Sequence, residues 1–196
     1  MAHLRPLENH EVDQELQDMF THYENTRGFC PNSVKTMARR PEISKTFGKL
    51  NQVILYEGTV PEELKMLVAL ASSLASGCRY CQSHMSNLSS IYKAPDEKIA
   101  AIWEFETSDL FTEAERAAIT VGIKGGTLPN EVSSEDFDNL KLHFSESEIV
   151  EIVATVALFG YLNRWNDTMA TELEELPAQV TERAVGAKNW NAGKHI

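Results

Sequence analysis

The chain has 196 residues and a formal net charge of −11. That length suits one domain or two closely packed helical halves, and the 42% hydrophobic content excludes a disordered chain. An acidic surface repels phosphate backbones and anionic lipid heads, so neither a nucleic acid nor a membrane is expected as a partner. The residues Met1–Pro6 contain no apolar signal segment, and no apolar stretch reaches the ~20 residues needed to span a bilayer. A cytoplasmic location is therefore expected.

In chain order the pattern is helical, and no segment alternates with period two. Glu8–Arg27 carries Val12, Leu16, Met19, Phe20 and Tyr23 at helical spacing and stops at Gly28. Pro41–Tyr56 is a second amphipathic segment. Thr59-Val60-Pro61-Glu62, Thr112-Glu113-Ala114-Glu115 and Ser145-Glu146-Ser147-Glu148 each read as a capping box. They open helices predicted to run to Ser76, Lys124 and Glu172. Further helices are expected at Arg79–Tyr92, Asp96–Glu104 and Ser134–His143. Residues 1–176 form the expected single domain, and the polar residues 177–196 read as a tail, loose or packed on a partner. The helices opened at Thr59 and Ser145 each reach an Arg-aromatic pair, Arg79-Tyr80 and Arg164-Trp165, at nearly the same distance. This hints at a duplication, although two unrelated amphipathic helices would produce the same pattern.

The stretch Ser76-Gly77-Cys78-Arg79-Tyr80-Cys81-Gln82-Ser83-His84 concentrates the chemistry. Gly77 ends one helix and the next begins at or just after it. Cys78 and Cys81 then share a first turn, and His84 follows one turn later. A thiol attacks as thiolate, and a helix N-terminus, Arg79 and a protonated His84 all favour that form. Cys81, nearer to His84, is the expected attacking sulfur and Cys78 its resolving partner. A zinc site would need a fourth ligand beyond these three, and haem attachment would need a histidine where Gln82 stands, so no metal or cofactor is expected. Two buried core cysteines beside a satisfied histidine is the plain structural alternative. Cys30 reads as an incidental thiol, and His10, His22, His143 and His195 as surface residues.

The run Leu64–His84 resembles the signature of the carboxymuconolactone decarboxylase/AhpD-like superfamily. Glu115-Arg116-Ala117-Ala118 and Asn163-Arg164-Trp165-Asn166-Asp167 resemble its peroxidase-related members. The likeness extends from about Asn32 to Pro177. It implies an all-α, AhpD-like helical bundle assembled as a homo-oligomer, a trimer or hexamer. It also implies hydroperoxide or disulfide reduction through the CxxC, with electrons from a dithiol reductant. The chain departs from that pattern in three ways. Met66 stands where the proton-relay glutamate is expected, Tyr80 precedes the second cysteine in place of histidine, and His84 comes one position early. Glu62 or Glu63, one turn from Met66, is the candidate substitute base, with capping of the helix as the alternative role. Tyr80 is a candidate hydrogen-bond donor to peroxide or thiolate, or else a packing aromatic. Two further readings remain open: a non-redox lactone decarboxylase using His84 as acid and base, and a non-catalytic oligomeric binding protein.

Overall fold

A computed structural model describes residues 2–186 and 190–196. The described residues form helices and turns with no strand. The helices are α1 (Gln14–Arg27), α2 (Asn32–Met37), α3 (Pro41–Tyr56), α4 (Glu62–Ser76), α5 (Arg79–Ile91), α6 (Asp96–Ala100), α7 (Glu113–Gly126), α8 (Ser134–Lys141), α9 (Glu146–Met169) and α10 (Glu175–Val185). The expected all-α bundle is what the chain forms.

Helix α4 is the axis of the bundle. Every residue from Leu64 to Ser73 is buried, because α5, α7 and α9 pack around it. Leu67 and Leu70 lie in the core, and burial of each contributes about 1.5–3 kcal/mol. Small residues let α7 approach closely: a Cβ on Gly126 would lie 2.6 Å from the Ser72 carbonyl oxygen, and one on Gly122 2.9 Å from that of Val68. Within this apolar wall Lys65 is only 1% exposed, and its ammonium meets the Glu151 carboxylate of α9 at 2.9 Å. Glu151 also accepts from the backbone N–H groups of Thr59 and Val60.

That last arrangement corrects one expected cap. Thr59 and Glu62 do not form a capping box; Pro61 stands at the N-cap of α4, and Glu151 takes the backbone donors of the preceding turn. The boxes at Thr112/Glu115 and Ser145/Glu148 form as expected, and Ser133/Asp136 adds one at α8. The suggested duplication loses its footing, since one of its two matching caps is absent. In addition, the first segment breaks at Gly77 whereas α9 continues unbroken through Arg164-Trp165.

The C-terminal residues are not a loose tail. Helix α10 lies on α5, where the Thr181 hydroxyl bonds Ser83 Oγ at 3.0 Å, and Arg183 holds Asp96 of α6 at 2.7 Å. Beyond it, residues 190–196 run back along the start of α5. Trp190 donates to Gln82 at 3.2 Å, Gly193 lies near the Arg79 side chain, and the His195 carbonyl accepts from the Leu173 N–H at 2.9 Å. No helix among the described residues is long and apolar enough to cross a membrane.

Candidate active site

Gly77, in the left-handed conformation at φ 75°, ends α4 and turns the chain so that Cys78 becomes the N-cap of α5. A single turn then brings Cys81 beside it. Both thiols are free and buried, with Cys78 0% and Cys81 2% exposed, and they hydrogen-bond to each other. The two sulfurs are polarised in opposite senses. The Cys81 thiol, then the His195 imidazole and the Cys81 backbone N–H, hold the Cys78 thiol below the usual cysteine range despite its burial. Burial, then the Cys78 sulfur, pushes Cys81 well above that range, although Asn166 of α9 donates to its Sγ at 3.4 Å. Cys78 is therefore the more acidic of the two thiols. Arg79, expected to help, donates instead to Gln82 at 3.2 Å.

His84 is buried in the middle of α5. Its Nε2 lies 2.7 Å from Oε2 of Glu174, in the connector before α10. The other oxygen of Glu174 accepts from the Tyr80 hydroxyl at 2.9 Å and from the backbone N–H of Asn32. Burial works against the Glu174 charge, but His84 and these donors outweigh it and keep the carboxyl below its ordinary range. Tyr80 also accepts from the Ser33 N–H at 3.2 Å and stacks on the His84 ring at 4.2 Å. Burial raises its phenol well above 10, so it remains neutral.

Glu174 thus stands beside His84 where Glu62 or Glu63 is expected. Glu62 is exposed at the start of α4, and Glu63 is engaged with Lys98 at 3.2 Å. Met66 is buried in the core and has no ionisable group to carry a proton.

His195 was also misplaced by the sequence reading. It is 1% exposed, its Nδ1 bonds the Thr171 carbonyl at 2.8 Å, and its Nε2 has no oxygen partner nearer than Asp167 at 3.9 Å. The ring sits against Cys78 and 5.9 Å from Tyr80. A polar terminal stretch carries no periodicity that would announce a buried imidazole. Asn166, in contrast, lay within a run already singled out by resemblance. His10, His22 and His143 are exposed as expected. Cys30 is buried away from the pair, with its thiol pushed up to about 12 by desolvation.

Cys81, His84, Tyr80, Asn166, Phe159 and Leu162 border a cavity of about 40 Å³. A single water-sized probe needs about 10–15 Å³, so the space admits the reacting end of a molecule but not a ring.

Residues 41–123 match the carboxymuconolactone decarboxylase family model. The structure superposes on the debrominase Bmp8 with a TM-score of 0.84, 36% identity, and coverage of 92% of this chain and 96% of that one. The chain belongs to the carboxymuconolactone decarboxylase/AhpD-like superfamily. A cysteine-to-alanine variant of Bmp8 has been solved in complex with 2,3,4-tribromopyrrole, and this chain aligns with it at a TM-score of 0.85. A peroxidase-related protein with an AhpD core from Ralstonia eutropha JMP134 shares the fold at a TM-score of 0.80, with 22% identity over 90% of this chain and 94% of its own. No curated protein matches at a significant level.

Proposed function

We propose that this protein is a dithiol-dependent reductase that transfers two electrons to a small electrophile, leaving Cys78 and Cys81 as a disulfide. One observation carries the reading: a polarised, hydrogen-bonded thiol pair whose Cys81 end opens on a cavity shared with the His84–Glu174 dyad. Two inert core cysteines beside a satisfied histidine would require neither the polarisation nor the buried carboxylate.

Hydroperoxide reduction is the leading form. Cys81 faces the cavity, and its proton passes to the Cys78 thiolate as the substrate enters. The Cys81 sulfur attacks the terminal peroxide oxygen, the O–O bond breaks, and the departing alkoxide takes a proton from His84, whose Nε2 lies 2.7 Å from the Glu174 carboxylate. Cys81 is then a sulfenic acid. Cys78 attacks that sulfur and passes on its proton, and water leaves as the disulfide closes. Peroxide is reduced to alcohol and water, two thiols are oxidised, and an external dithiol restores them. A homo-oligomer, trimeric or hexameric as the family resemblance implies, belongs to the same proposal.

Reductive debromination is the second reading, supported by the 36% identity to Bmp8. His84 would protonate the brominated ring carbon, the Cys81 sulfur would take the bromine, and Cys78 would expel bromide to form the same disulfide. A lactone decarboxylase reading leaves the paired thiols without a task.

Reduced protein mixed anaerobically with cumene hydroperoxide is expected to lose two thiols per peroxide, with the disulfide mapping to Cys78 and Cys81 and no such loss in Cys81→Ser. Thiol loss with a polybrominated pyrrole alone would assign debromination. Absence of thiol loss with both oxidants would reject the reductase.

A further inference from the structure

The 40 Å³ cavity is too small for a whole substrate, but it does not stand alone. A groove of about 560 Å³ lies on the outer side of α1, α3 and α5. Tyr23, Arg27, Asn51 and Leu88 line both spaces, so the groove is the antechamber of the cavity that Cys81 borders. Its volume falls in the range of small-molecule sites.

The walls are aromatic and the only fixed cation common to both spaces is Arg27. Its guanidinium lies 4.8 Å from the Tyr23 ring centroid and 5.6 Å from that of Tyr56, and it donates to the Tyr56 hydroxyl. It joins no ion pair among the described residues. Neither phenol supplies a counter-charge: burial raises Tyr23 and pushes Tyr56 up to about 12, so both stay neutral. The nearby Glu15 carboxylate is taken by Lys45 at 2.7 Å. A half-buried guanidinium set between two tyrosine rings, with no ion pair among the described residues, is a site for a planar anion: the rings bury the plane and the fork meets the charge.

We propose that this groove binds a planar aromatic anion, a ring bearing a carboxylate or an acidified hydroxyl or N–H, with Arg27 recognising the charge while a substituent of the ring reaches toward Cys81. The inference deepens the reductase reading by naming the substrate class, and it rests on that reading only for what happens at the sulfur.

Binding is tested by calorimetry with two probes that share one brominated ring, 2,4,6-tribromophenol, which is ionised at neutral pH, and its uncharged methyl ether. The full chain carrying Cys78→Ser and Cys81→Ser keeps thiol chemistry out of the measurement. The expected result is at least a tenfold preference for the phenolate, abolished in Arg27→Met while ether binding persists, and partly restored in Arg27→Lys. Equal affinity for the two probes, no binding of either, or a preference that survives Arg27→Met would overturn the proposal. Loss of the reductase reading would appear in the thiol-consumption assay and leave this preference intact.

Discussion

Replacing His195 with Asn isolates its effect on the thiol pair. The amide nitrogen of Asn reaches the place of Nδ1, so the 2.8 Å bond to the Thr171 carbonyl and the path of residues 190–196 are retained. What is lost is the Nε2 edge that helps hold Cys78 acidic. A hydrogen bond to a charged group contributes about 1.5–3 kcal/mol, and 1.36 kcal/mol corresponds to one pKa unit, so the Cys78 titration is expected to move up by about 1–2 units. The sign follows from the direction of the shift: a depressed thiol is ionised below the usual cysteine range, so its reactivity fades only as pH falls through that depressed value. In His195→Asn the fade begins at higher pH. With Cys78 lowered to about 6, a rise of about 1–2 units cuts the thiolate fraction at neutral pH from about nine-tenths to about one-half or one-tenth, while the remaining thiolate is more nucleophilic by about threefold per unit, so the rate at neutral pH changes little. The pH profile is therefore the sharper readout than a single rate. Bromobimane alkylation and thiolate absorbance between pH 5 and 10 would measure it. Cys30 does not interfere, because its thiol ionises near 12. An unshifted profile in His195→Asn would refute the assignment of His195 to Cys78.

Two other outcomes are expected. Glu174→Gln retains the shape but removes the charge facing His84 Nε2 at 2.7 Å, so peroxide turnover should fall by about 10²-fold or more, with kcat affected more than KM, as measured by cumene hydroperoxide consumption. Gly126→Ala places a methyl 2.6 Å from the Ser72 carbonyl oxygen between α4 and α7 and should cost about 1–3 kcal/mol in urea unfolding, whereas the same change at Gly160, which faces open space in mid-helix, should not destabilise the protein.

Local chemistry was legible in the residues and long-range pairing was not. The thiol pair could be read from spacing, because Gly77 and a three-residue offset dictate where the next helix starts and which side chains share its first turn. The boxes at Thr112 and Ser145 were equally local. Thr59 failed for a tertiary reason: Glu151, 92 residues along, supplied a better acceptor for the same donors. The base was sought one turn from Met66 because helix periodicity offers only neighbours on the same face, and Glu174 lies 90 residues from His84. His195 escaped for the same reason, compounded by a polar setting that reads as solvated. The polarisation of the sulfur pair rests on which thiol donates to which and on His195, so spacing alone does not carry it.

The location of Glu174 has a consequence for how relatives should be compared. A proton relay is defined by an oxygen standing at a point in space, and in the proposed relay that oxygen is delivered by a connector, not by the helix that precedes the cysteines. A column-by-column comparison would find methionine at the old address and declare the base lost. Searching instead for any carboxylate within reach of the histidine nitrogen would recover it, and would sort members of this family by where the acid enters, a trait independent of the thiol motif itself.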